Sequence, residues 1–251
     1  MLQQTQVDRV APRWQQFMGV FPTPAAAAVA GVAAVVDQWA GLGYNRRAVA
    51  LHRAAVVCVD EHDGRLPDDL AGLLALPGVG PYTARAVLAF AFERDVGVVD
   101  TNVGRVLART AGRRLRPAEA QAAADAAVPA GQGWAHNQAM LDLGAQVCGA
   151  RVARCDGCPI SRWCAWQGGP GTDPATGSAG VTTRQSRFAG SDRQGRGRLV
   201  DALRSAGHVG AEHLAEVAGW PHDCERAITV AATLVADGLA LPDGSGGLKR
   251  P

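Results

Sequence analysis

The sequence predicts an all-α protein, and three observations lead there. Apolar residues recur at helical spacing from Leu2 to Arg94, broken only by short punctuation, and the same spacing returns between Val98 and Cys148. Alanine is plentiful and aromatic residues make up only 5% of the 251 residues, which favours helix over sheet. No sustained strand alternation occurs before about residue 170.

The elements follow in order. "MLQQTQV" runs straight into a helical pattern that continues through Val10 and Trp14. "FPTP" at Phe21–Pro24 is a break. "AVVDQWAGLGY" is a helix stopped by Gly41 and Gly43, and "RRAVALHRAAVVCVDEH" is a helix ended near Gly64. "PDDLAGLLAL" opens on Pro67 and two acids, a favourable helix start. "LPGVGPYTARAVLAFAF" reads as a tight glycine turn leading into a further helix. "VVDTNVGRVLAR" is a helix with Asp100 at its N-cap. "PAEAQAAADAAVP" and "AHNQAMLDLGAQVC" complete this part. Residues 167–183 are rich in Gly, Pro, Ser and Thr and read as a linker. Beyond it, three short helical patterns (Leu199–Ser205, Ala211–Ala218, Cys224–Asp237) and a terminal hairpin suit a small winged-helix-like domain.

Composition bounds the function. The chain is 47% hydrophobic and 19% charged, ample for a core. A net charge of +2 neither demands nor excludes nucleic acid. No apolar run is long enough to span a bilayer, and the start lacks the pattern of a signal peptide. Four of the six cysteines lie between Cys148 and Cys164. Such clustering points to a metal site in a reducing cytoplasm, not to a disulfide framework.

Four features carry chemistry. Cys148-x6-Cys155-x2-Cys158-x5-Cys164 places four thiols in one loop, enough to enclose one tetrahedral metal or one iron–sulfur cluster. Only one CxxC is present, so the spacing leans to the cluster. Arg151, Arg154 and Arg162 sit among the candidate ligands. In "LPGVGPY", Gly78 and Gly80 before the helix at Pro81 make a helix-hairpin-helix turn suited to a DNA phosphate. Asp100 is both a cap and a carboxylate able to face developing positive charge. Tyr44 in "GLGYNRR" reads either as a ring wedged into a base stack or as a loop aromatic folded on the core. The arginines of "RQSRFAGSDRQGRGR" are phosphate contacts or a solvated basic linker. The six histidines form no ligand pair.

These motifs, in register from Met1 to Cys164, resemble the adenine DNA glycosylase (MutY) family of the helix-hairpin-helix DNA glycosylase superfamily. The resemblance implies a six-helix barrel with the hairpin over residues 1–98 and a helical domain over 99–166 that holds a [4Fe-4S] cluster. A linker at 167–192 and the winged-helix-like domain at 193–251 complete the expected organisation. The implied activity is monofunctional hydrolysis of the N-glycosidic bond of adenine mispaired with 8-oxoguanine or guanine in double-stranded DNA, after the base is flipped out. Asp100 becomes the carboxylate that supports the oxocarbenium-like sugar. Tyr82 lies against the same pocket and Asn102 is a positioning group. Gln3, Gln4 and Tyr44 probe the opened duplex, and Cys148, Cys155, Cys158 and Cys164 hold the cluster.

Related endonuclease III-type enzymes carry a lysine where this chain has Tyr82, and that amine forms a Schiff base that a phenol cannot. The family's catalytic acid is a glutamate two residues before the methionine of "MLQQTQV", which is residue 1 here. The expectation is therefore a longer native protein in which Met1 is internal. Many relatives also carry a large C-terminal domain of nucleotide-hydrolase type, where this chain has the short tail. The expected protein is a monomer in the cytoplasm, associated with the nucleoid. The alternatives are a non-catalytic mismatch-binding protein or another glycosylase on the same scaffold.

Overall fold

The computed structural model describes residues 1, 2, 5–181 and 187–251. The chain divides into two compact units.

The first unit comprises Met1–Pro67, Leu76–Gly78 and Gln185–Pro251. It opens with α1 (Val7–Val20), α2 (Pro24–Gln38) and α3 (Arg46–Glu61). Helix α1 begins later than the apolar pattern predicts. Met1 and Thr5 are tied to the segment around Leu42 and Arg47: Thr5 Oγ1 donates to the Leu42 carbonyl at 3.2 Å, and Arg47 Nη1 to the Met1 carbonyl at 3.0 Å. The "FPTP" break is the start of α2, because Thr23 Oγ1 accepts from Ala26 N and Pro24 takes the first helical turn, where its missing N–H costs nothing. Phe17 packs edge-on against Phe21 and Trp39, with ring centroids 5.0 and 6.5 Å away.

The tail joins this unit as α9 (Asp192–Ala206), α10 (Leu214–Ala218) and α11 (Cys224–Ala236) with three two-residue strands. The strands β1 (His208–Val209), β2 (Leu241–Pro242) and β3 (Leu248–Lys249) form an antiparallel sheet of order β1-β3-β2. Three helices and a hairpin are present as expected. Strand β1 is too short to leave a period in the sequence. The wing turn is tied by Asp243, whose carboxylate accepts from the Ser245 and Gly247 amides, both at 2.8 Å, and from His208 Nε2 at 2.7 Å. The tail does not build a core of its own. Leu199, Leu203, Leu214, Leu234 and Leu248 are buried in one cluster with Phe17, Trp39 and Val49, and each such side chain contributes about 1.5–3 kcal/mol of burial.

The second unit comprises Asp68–Ala75 and Val79–Arg184. Its helices are α4 (Leu70–Ala75), α5 (Pro81–Phe90), α6 (Thr101–Ala111), α7 (Pro117–Ala127) and α8 (Gly133–Asp142). Helix α8 continues into a π-helical turn, Leu143–Val147, that delivers Cys148. The extended approach to α6 is fixed by Asn137, which is 2% exposed. Its Oδ1 accepts from Val98 N at 2.8 Å, and its Nδ2 donates to the Val96 and Gly133 carbonyls at 2.8 and 2.7 Å.

The Gly/Pro-rich stretch after Cys164 is not a free tether. Residues 173–180 run back along α6. Arg109 binds Asp173, Ser178 Oγ accepts from Leu115 N at 3.1 Å, and Thr101 Oγ1 donates to the Gly180 carbonyl at 2.7 Å. The small residues serve close approach: a Cβ on Gly180 would meet the Asp100 carbonyl at 2.8 Å. Composition alone does not separate this use of small residues from flexibility. No single helix among the described residues is long and apolar enough to cross a membrane.

Candidate active site

Asp100 caps α6 as its sequence position predicts. Its Oδ1 accepts from Val103 N at 2.7 Å and its Oδ2 from Asn102 Nδ2 at 3.3 Å, so both oxygens are oriented. Asn102 is itself held: Arg105 Nη2 donates to its Oδ1 at 2.9 Å. The Arg105 side chain is buried, and its other N–H groups reach the carbonyls of Cys148 at 2.7 Å and Gly144 at 2.5 Å. A chain of hydrogen bonds thus runs from the carboxylate, through Asn102 and Arg105, to the backbone of the first cysteine.

Tyr82 stands in the first turn of α5. Burial, and after it the negative charge of Asp100, push its phenol above the usual tyrosine range. It is therefore a neutral hydroxyl near pH 7, in electrostatic reach of the carboxylate. Helices α4 and α5 flank the glycine turn. Gly78 has φ +75°, and a Cβ there would lie 2.5 Å from the Ala50 Cβ, so both conformation and space require glycine. Gly80 is the N-cap of α5 with an extended backbone, open space around its Cα and no side-chain cap. This end of α5 carries the positive end of the helix dipole.

The four cysteines come together. Cys148, Cys155, Cys158 and Cys164 line one cavity with Val106, Leu143, Ile160 and Trp166. Short 3₁₀ turns at Cys155–Gly157 and Ser161–Trp163 fold the loop. Burial first, and then the charges of the other three cysteines, push the Cys155 thiol up. Among the described residues, no three His, Cys, Asp or Glu side chains converge tightly enough for a single metal ion. Four thiols lining one cavity supply the ligand set of a metal–sulfur group. The buried Nε1 of Trp166 has no acceptor in the protein, and a sulfur-rich group provides one.

Tyr44 belongs to the first unit. Its φ is +47°, and its hydroxyl accepts from Arg193 Nη1 at 3.3 Å. Arg47 lies over its ring and binds the Leu42 and Gly43 carbonyls. The loop is thus shaped in advance, and its ring is half-buried. Gln3, Gln4 and Arg184 lie outside the described residues.

Sequence reasoning missed Arg105, Arg109, Asp173 and Asn137. The only local signal was the spacing of Asn102, Arg105 and Arg109 on one face of α6.

The sequence matches the HhH-GPD superfamily of base excision DNA repair proteins over residues 1–130. It is 42% identical to an adenine DNA glycosylase of Mycobacterium tuberculosis, over 95% of this chain and 79% of that protein. It is 38% identical to the human adenine DNA glycosylase, over 65% of this chain and 31% of that protein. The fold is similar to a thermostable thymine-DNA glycosylase, with a TM-score of 0.61 and 26% identity, covering 66% of this chain and 80% of the other. It is also similar to endonuclease III in a trapped covalent DNA intermediate, at TM-score 0.60 and 24% identity, covering 66% and 80% of the two chains.

Proposed function

The chain belongs to the HhH-GPD superfamily of base excision DNA repair proteins, and from that premise we propose that it is an adenine DNA glycosylase acting on adenine opposite 8-oxoguanine or guanine in duplex DNA. The observation that carries the reading is Asp100, presented at the start of α6 with both oxygens oriented and with the phenol of Tyr82, not an amine, in electrostatic reach.

The reaction needs an extrahelical adenine, a proton on the departing base and stabilisation of a sugar that becomes positively charged. The Asp100 carboxylate faces that charge, and Asn102 keeps it oriented. Water completes the hydrolysis. The resemblance gives delivery of that proton to a glutamate acting as general acid. The glycine turn at Gly78 and Gly80, at the positive end of α5, faces a DNA phosphate. Tyr44 presents its ring to the base stack. Cys148, Cys155, Cys158 and Cys164 would hold a [4Fe-4S] cluster, which when bound cross-links the loop through four thiolates.

The test is release of free adenine from an A:8-oxoguanine duplex. It is run on the 251-residue chain and on a form extended upstream so that a glutamate stands two residues before Met1. Adenine release without strand cleavage or borohydride trapping supports the reading. Tight mismatch binding with no base release from either form overturns it in favour of a binding protein.

A further inference from the structure

Arg109 lies on α6 one turn beyond Arg105, beside the cysteine cavity, with its side chain 3% exposed. Its donors are divided between two sides. Nε and Nη2 reach the two carboxylate oxygens of Asp173 at 3.1 and 2.6 Å. Nη1 reaches the Cys148 Sγ at 3.3 Å and the Gly149 carbonyl at 2.9 Å. The guanidinium carbon lies 4.5 Å from the ring centroid of Trp166. The Arg109 carbonyl accepts from the Trp166 amide at 3.2 Å and from the Cys164 thiol at 3.3 Å.

A guanidinium gripped by a carboxylate through two parallel bonds has one orientation. Here that orientation aims the remaining donor at a sulfur. The bonds from Arg109 hold the Asp173 carboxyl below the usual carboxylate range, so the pair is charged on both sides at neutral pH. Asp173 comes from the stretch whose composition reads as a linker, so nothing in the sequence marks it.

We propose that Asp173 is a positioning residue for the cysteine-bound group: by anchoring and neutralising Arg109, it sets the reduction potential and the retention of the iron–sulfur cluster. This rests on the reading that the four cysteines hold such a cluster. The potential of a cluster follows the net charge around it and the hydrogen bonds to its sulfurs. Replacing Asp173 by a neutral residue leaves the cation uncompensated, which favours the more negative, reduced cluster and raises the potential. Replacing Arg109 by a neutral residue leaves the carboxylate uncompensated and lowers it. A packing defect does not give two shifts of opposite sign from the two halves of one pair.

The experiment measures iron and acid-labile sulfide, cluster absorbance under ferricyanide, and midpoint potential, in the purified holoprotein and in Asp173→Asn and Arg109→Gln. The expected result is a higher potential in the first variant, a lower one in the second, and several-fold faster loss of absorbance in both. Asp173→Glu is expected to restore much of the wild-type behaviour, and it keeps the question open to measurement if the other variants are insoluble. A cluster-loaded Asp173→Asn with wild-type potential and wild-type retention overturns the proposal alone. A wild-type protein without iron and sulfide overturns the cluster reading and the proposal with it.

Discussion

Arg105 donates to the carboxamide oxygen of Asn102 at 2.9 Å while the rest of its guanidinium is buried against backbone carbonyls. The contact makes Asn102 a fixed donor to Asp100, and it makes α6 depend on the loop that begins at Cys148. Arg105→Lys keeps the charge and loses the fork, so several of these partners are left unmet. Each partner left unmet is expected to cost about 1–3 kcal/mol. Thermal unfolding and single-turnover adenine release measure it, and both are expected to fall.

Asp100→Asn separates the two roles of Asp100. Asparagine caps a helix as well as aspartate, so the fold is expected to hold. The carboxylate charge is lost, and adenine release is expected to drop at least ~10²–10³-fold with mismatch binding retained. Single-turnover kinetics beside a gel-shift titration check this.

Asn137→Ala removes three hydrogen bonds that hold the approach to Asp100. Leaving the Val98 amide and the Val96 carbonyl without the Asn137 side chain is expected to cost about 2–4 kcal/mol. The measurement is the urea midpoint, which is expected to fall with little change in slope.

Glu119 supplies a pH dependence whose sign follows from its partners. The backbone amide of Arg116, with the side chains of Arg113 and Arg116, holds its carboxyl down at about 2. A depressed carboxylate stabilises the native state above its ordinary value near 4.5 and loses that contribution as pH falls toward 2. Glu119→Gln is expected to flatten the acid side of the stability profile between those values and to leave the neutral side parallel to wild type. Thermal melts across that range test it.

Part of this molecule was legible because the signal lay inside single elements. Asp100 is readable as a cap because an acid just before an apolar helical run satisfies free amides. The four cysteines are readable because their spacing closes one loop. Arg105 and Arg109 were not readable, because burial of arginine runs against every compositional rule until its partners are known. Asp173 meets Arg109 across 64 residues, inside a stretch whose glycines looked like slack. The same limit hid the shared core of α1–α3 and the tail, where Phe17 and Leu248 belong to one buried cluster.

The sequence by itself determined the helical class, the glycine turn before α5, the carboxylate cap of α6 and the four-thiol loop. Each depends on periodicity or on neighbours a few residues apart. Only the tertiary structure decided that Asn102 and Arg105 join the carboxylate to that loop, and that Asp173 returns to grip Arg109. Those contacts depend on the path of the chain between distant segments, and a pattern within one element does not encode that path.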